Sequence, residues 1–226
     1  MGRIVELTGA GPSGRGYLAE SPSGGSLPVV VVGEAWGLGT HVEDVVDQFA
    51  VEGFTALAPD LRGGRPPAEP DSADELMMSL NLDEAARRAS AAVDTVTDVA
   101  GRDRVGVTGF GMGGALALAL AARRPDRVAA VVTWYGAVPW AAVEPDWSPL
   151  AAKVLGHYAE KDHRVPPARV AALQHALDQL GKDATLHVVP GADHGYFDDT
   201  RPEVHDPEAS RACWNETVTF LHNELA

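Results

Sequence analysis

The sequence is short of the residues that staple or ligate a fold. A single cysteine, Cys213, stands among 226 residues. One cysteine excludes an intramolecular disulfide and a cysteine-based zinc site. Positive charge is scarce too: Lys plus Arg number 18 against 32 Asp plus Glu, a formal charge of −14. That balance speaks against a protein that tracks nucleic-acid phosphates and against docking to an anionic membrane. The chain does not open with a cationic stretch followed by a long apolar one, so no signal peptide is read and a cytoplasmic location is expected. The longest uncharged run, residues 105–122, has the length of a membrane span but contains Gly106, Gly109, Gly111, Gly113 and Gly114. It reads better as a strand, a tight turn and a helix. The histidines form no His-Glu-x-x-His pairing, so neither a catalytic metal nor another cofactor is expected.

What is present is enough for a full core. Hydrophobic residues make up 45% of the chain, and a chain this long buries about 70% of the surface its unfolded form exposes. One domain, residues 1–226, is the expectation. Short β-rich bursts occur at residues 29–32, 55–58, 105–108, 129–133, 154–158 and 185–189. They are continuously apolar rather than alternating, as parallel strands covered on both faces need. Helical patterns fall between them. Thr40 with Glu43 suggests a capping box before the stripe Val42, Val45, Val46, Phe49, and Gly53 marks that helix's end. Asn81 with Glu84 opens a second helix, with Ala85, Ala89, Ala92, Val93, Val96 and Val99 facing inward. A third covers residues 115–124. A fourth starts at Pro166-Pro167, and a last one follows Asp206-Pro207. Residues 4–7 and 16–19 read as an antiparallel edge hairpin. Strand–helix alternation with short links predicts an α/β fold: a mostly parallel sheet, an antiparallel N-terminal edge, and helices on both faces.

After the third core strand comes Gly109-Phe110-Gly111-Met112-Gly113-Gly114, then an Ala/Leu-rich helix. This is the layout of a nucleophile elbow, where a sharp turn pushes one residue above the sheet and flanking glycines let strand and helix pass closely. The tip is Gly111, and glycine has no side chain to attack anything. The spacing Gly109, Gly111, Gly114 also fits a dinucleotide-binding Gly-x-Gly-x-x-Gly. Against that, no acidic residue ends a strand about 20 residues on. Two later strand ends carry Asp162 and His194. The order is elbow, acid, histidine, each just past a strand, where ligand sites of such sheets lie. Asp162 then accepts from the His194 imidazole and fixes its tautomer. Glu34 ends the first core strand as a further carboxylate. The backbone N–H groups of Ala35 and Met112 are the natural oxyanion-hole pair beside the tip. Trp36, Trp134, Tyr135, Tyr196 and Phe197 stand beside strand ends and are candidates for an apolar substrate-binding wall. Trp134 and Tyr135 fit a core role equally well. Met77, Met78 and Leu80 either cover the site or pack.

These segments resemble the dienelactone hydrolase family, a group with the α/β-hydrolase fold, over nearly the whole chain. The resemblance lies in Glu-Ala-Trp-Gly-Leu at 34–38, Ala-Leu-Ala-Pro-Asp-Leu at 56–61, the elbow at 109–114, Gly-His-Tyr-Ala-Glu-Lys-Asp at 156–162 and Pro-Gly-Ala-Asp-His at 190–194. It implies an acid at Asp162, a base at His194, and at Glu34 the glutamate that interacts with the family's resting cysteine. Gly111 takes the place of that cysteine. Asp198 stands where members acting on dienelactones place a carboxylate-binding arginine, so dienelactone itself fits poorly. The implied partner is a small molecule: an ester, a lactone or another carbonyl compound, met by a monomer or small homo-oligomer.

Three readings of the glycine stay open. The nucleophile has been replaced, in evolution or by design, in a hydrolase scaffold. Alternatively, His194, Asp162 and Glu34 run non-hydrolytic acid–base chemistry such as elimination or cyclisation. Alternatively, the pocket only binds.

Overall fold

A computed structural model of the protein describes residues 1–11, 14–24, 27–33, 37–64, 80–136 and 145–226. The chain gathers into two compact units, Met1–Val105 and Gly106–Ala226.

In the first unit the strands β1 (Arg3–Glu6), β2 (Arg15–Ala19), β3 (Leu27–Val32) and β4 (Phe54–Pro59) lie in the order β1-β2-β4-β3. β1 pairs antiparallel with β2, β2 antiparallel with β4, and β3 parallel with β4. The expected antiparallel hairpin is therefore there, and it leads into a parallel pair. β3 and β4 are buried almost throughout, which is why their apolarity is continuous rather than alternating.

Helix α1 (Thr40–Val51) buries the expected stripe Val42, Val45, Val46 and Phe49, and Phe49 meets Phe54 edge to face at 5.7 Å. The capping box does not form. Thr40 is already helical, the N-cap is Gly39, and no side chain caps the end. Gly53, at φ 98°, follows the C-cap residue Glu52. Helix α2 (Leu82–Ala100) starts as its sequence signals, with the Asn81 side chain accepting from Glu84 N–H at 3.1 Å. It buries Ala85, Ala89, Ala92, Val93 and Val96, but Val99 is exposed. Arg88, unforeseen in the sequence, is buried instead. Its Nη1 donates to the Leu61 carbonyl at 2.8 Å, so a helix face read as apolar also pins the turn after β4.

In the second unit β5 (Val105–Phe110), β6 (Val128–Trp134), β7 (Lys153–Ala159) and β8 (Ala184–Val189) follow one another in that order. β6, β7 and β8 run parallel. Helix α3 (Met112–Arg123) packs on β6, α4 (Pro167–Gln179) on β7 and β8, and α5 (Pro207–Leu225) on β6 and β7. Successive residues of a strand face opposite sides. His157 of β7 bonds Thr217 of α5, whereas Tyr158 packs with Val165 and with Val170 of α4. So α4 and α5 lie on opposite faces, as predicted. α5 opens with Asp206 accepting from the N–H groups of Glu208 and Ala209, a side-chain cap of the kind typically worth about 1 kcal/mol. β8 is the last strand of the order, and one side chain reaches across it. Gln174 of α4 donates through Nε2 to the Ala184 carbonyl at 3.0 Å and accepts through Oε1 from Leu186 N–H at 3.0 Å. Among the described residues, no helix is long and apolar enough to cross a membrane.

Candidate active site

The second unit contains the turn, the acid and the histidine. β5 ends at Phe110 and α3 begins at Met112, so Gly111 alone makes the corner. The helix starts three residues earlier than its sequence pattern suggested, because the turn is itself the helix start. Gly111 has φ 53° and ψ −120°, a conformation that strains residues with a side chain by about 1–3 kcal/mol. Its N–H donates to the Trp134 carbonyl at 3.0 Å, and its own carbonyl accepts from Gly114 and Ala115.

The neighbouring glycines answer a different need. A Cβ on Gly109 would sit 2.2 Å from the Gly113 carbonyl oxygen. One on Gly136 would sit 2.5 Å from the Gly111 carbonyl oxygen, and one on Gly114 2.7 Å from Thr133 Oγ1. No side chain fits at these distances, so strand end, helix start and the end of β6 touch backbone to backbone. The Gly136 carbonyl is held by Thr133 Oγ1 at 3.1 Å and by the Tyr158 hydroxyl at 2.9 Å. Met112 opens the helix, so its N–H has no acceptor within it.

Asp162 and His194 meet as predicted. His194 Nδ1 lies 2.7 Å from Asp162 Oδ2. The other carboxylate oxygen accepts from Arg164 N–H at 2.7 Å and Val165 N–H at 2.9 Å. Burial alone would raise the Asp162 carboxyl. The bonds from His194, Val165 and Arg164 outweigh that and hold it below its ordinary range. An ionised carboxylate only accepts, so Nδ1 carries the proton and Nε2 is left as the basic atom. The Asp162 side chain is fully buried and that of His194 is 23% exposed, an anchored partner beneath a reachable imidazole.

Around them lies an aromatic cluster that the sequence offered as a pocket wall. Trp134, Tyr135 and Tyr196 are fully buried. The Trp134 indole N–H donates to Thr108 Oγ1 at 3.2 Å, and the Tyr196 hydroxyl to Cys213 Sγ at 3.3 Å. Their polar tips are thus spent inside the protein. Phe197, 9% exposed, packs on Phe110 at 5.2 Å and Trp134 at 4.6 Å. Cys213 has the packing role expected of it, and burial pushes its thiol up. Tyr135 is the exception in the cluster. Its ring centroid is 5.0 Å from that of His194, and it is the one non-glycine residue with positive φ among the described residues, at 42°. Sequence reasoning missed Phe110, Thr133 and Tyr158 as supports. The signal available was Gly136, whose closeness to the elbow requires partners that hold its carbonyl.

Glu34, Ala35, Trp36, Met77 and Met78 lie outside the described residues, while Leu80 is buried. Asp198 does not offer a free carboxylate: its Oδ1 accepts from both the N–H and the hydroxyl of Thr200.

A model described as the dienelactone hydrolase family matches residues 15–225. "Putative carboxymethylenebutenolidase" from Aquifex aeolicus is 31% identical over 233 residues, with all of both chains covered. "Protein usf" from Aquifex pyrophilus is 32% identical over the same length and coverage. The crystal structure of "Putative Dienelactone Hydrolase" from Klebsiella pneumoniae superposes with a TM-score of 0.88 at 25% identity, covering 98% of each chain. The architecture is the α/β-hydrolase fold, and the chain belongs to the dienelactone hydrolase family, a family of hydrolases.

Proposed function

We propose that this protein acts on a small ester, lactone or related carbonyl compound through His194 as general base, with no acyl-enzyme intermediate. The observation that carries the reading is the 2.7 Å bond between His194 and a buried, ionised Asp162, linked to the elbow through the end of β6, where Tyr135 packs 5.0 Å from the imidazole and the preceding Trp134 carbonyl accepts from Gly111 N–H. Such a couple is what a scaffold needs to move a proton at Nε2. A glycine tip cannot form an ester or thioester with the substrate. With no side chain at the tip, the attacking group in this reading is a water molecule.

The reaction then runs in two proton transfers. Nε2 takes a proton from water as its oxygen adds to the carbonyl carbon. The tetrahedral oxyanion is met by the Met112 N–H, at a helix start where a negative charge is favoured. Collapse breaks the bond to the leaving oxygen, which receives the proton from Nε2.

The same glycine favours a second reading. With no nucleophile to intercept the carbonyl, His194 abstracts a proton from the adjacent carbon, and elimination or cyclisation follows. The two are separated by turnover of a panel of small esters and lactones in 18O-water, with and without His194→Ala. Label entering the acid product supports hydrolysis; an unlabelled product of eliminated or cyclised form supports the second. In either case His194→Ala is expected to lower the rate by about 10²–10⁴-fold. A rate unchanged by His194→Ala would overturn both and leave a binding role. Gly111→Cys is expected to add a burst of acyl-enzyme on activated esters.

A further inference from the structure

We infer that Tyr135 is a positioning residue for His194: its ring holds the imidazole plane while its backbone locks the elbow. The inference rests on His194 being the working base. Three observations meet at this residue.

The first is strain. Tyr135 adopts φ 42°, a region where a bulky side chain is a genuine outlier. Glycine would adopt it without cost, so the ring is retained for a reason other than the turn.

The second is the backbone. Tyr135 N–H donates to the His157 carbonyl at 2.7 Å, and on either side the Trp134 carbonyl accepts from Gly111 N–H and Gly136 seats against the Gly111 carbonyl. The strained residue is therefore the link that turns β6 away from its ladder and under the elbow.

The third is the ring. It lies 5.0 Å from the His194 imidazole at an interplanar angle of 58°, 5.6 Å from Tyr196 in an edge arrangement, and 6.5 Å from Phe110, the residue before the elbow tip. Tilted and edge-to-face geometries at these separations are the favourable ones for aromatic pairs. His194 and Tyr196 flank Gly195, which has φ 86° and lies in a turn braced by Tyr196 N–H on the Asp193 carbonyl and Asp198 N–H on the Gly195 carbonyl. The Asp162 bond tethers the imidazole at one atom and leaves it free to swing about that atom. A face packed against Tyr135 removes that freedom and ties the histidine to the strand end that carries the elbow.

The test reads the imidazole directly. Long-range 1H–15N spectra of labelled protein, with the His194 signals identified by their loss in His194→Gln, are expected to show one tautomer, protonated at Nδ1. Tyr135→Phe, which keeps the ring, should preserve that pattern. Tyr135→Leu should mix the tautomers or lose the Nδ1 proton by exchange. Tyr135→Met, closer in volume, takes its place should the leucine variant not fold. Leu221→Val, a core truncation in the same unit, should leave the pattern intact. A wild-type pattern in the leucine or methionine variant overturns the inference. Where His194-dependent turnover is measured, the same variants should lose about tenfold or more in kcat, with KM within about threefold; an unchanged kcat overturns it as well. Absence of any His194-dependent turnover overturns the proposed function instead, while the spectra still decide the role of Tyr135.

Discussion

The elbow and the acid–histidine couple are built by opposite means. Around Gly111 nearly everything is backbone: Gly109, Gly114 and Gly136 are in contact because none of them has a Cβ. Around His194 the contacts are made by side chains: a carboxylate, itself oriented by two backbone N–H groups, and the Tyr135 ring that packs on the imidazole. A backbone junction has no slack, since a clash there has no rotamer to relax into. A side-chain junction can be retuned one group at a time. This contrast says that the glycines set whether the corner exists, while the polar and aromatic groups set what it can do.

Breaking the backbone junction should cost most. Gly109→Ala places a methyl 2.2 Å from a carbonyl oxygen, and chemical denaturation is expected to show a loss of about 4 kcal/mol or more, or no folded protein. Next comes a comparison within the side-chain region. His157 on β7 has the same imidazole as His194 but is wholly buried against Thr217. Burial, with the neighbouring His187 adding to it, drops its pKa to about 3. The unfolded chain takes up that proton near pH 6.5 and the native one does not. Stability is therefore complete above pH 6.5 and falls as the pH drops below it, by about 3 kcal/mol at pH 4. His157→Asn should flatten this limb in urea melts taken across that range. An acid limb that persists unchanged would place its source elsewhere.

Asp162 should act in a lower window. Its folded carboxyl titrates below its unfolded value of about 3.9. Its contribution is present above that pH and disappears as the pH falls through the folded value. Asp162→Ala strands two N–H groups and is expected to cost about 2 kcal/mol at pH 7. It should also remove this lower limb. Smallest should be Gly111→Ala, whose expected cost is the backbone strain of φ 53°, ψ −120°, about 1–3 kcal/mol. A cost equal to that of Gly109→Ala would erase the distinction between the two kinds of glycine.

The sequence revealed these regions unequally, for the same reason. Backbone junctions write themselves as glycine at fixed spacing, so the elbow was legible before any coordinates. Continuous apolar bursts gave the parallel strands, and Asn81 and Asp206 announced their helices. Asp162 and His194 were legible only as an order along the chain, confirmed once β7 and β8 proved to be neighbours. The errors were local. Thr40 looked like a cap because its spacing to Glu43 was right, but the helix had begun a residue earlier behind Gly39. Val99 kept the helical spacing of its neighbours yet ended on the exposed side of the last turn. The sequence offers Tyr135 as a candidate wall or core residue, but nothing in it marks the strained backbone. A strained aromatic has no propensity signature, since its conformation is imposed by the bonds on either side of it.

Gln174 carries a consequence for the protein's behaviour in a crowded solution. Its amide offers β8 one donor and one acceptor, as an adjoining strand would. Two of the peptide groups through which a stray extended segment would zip onto this border are already taken, which guards against stacking into fibrils. A single amide thus serves as a counterfeit ninth strand.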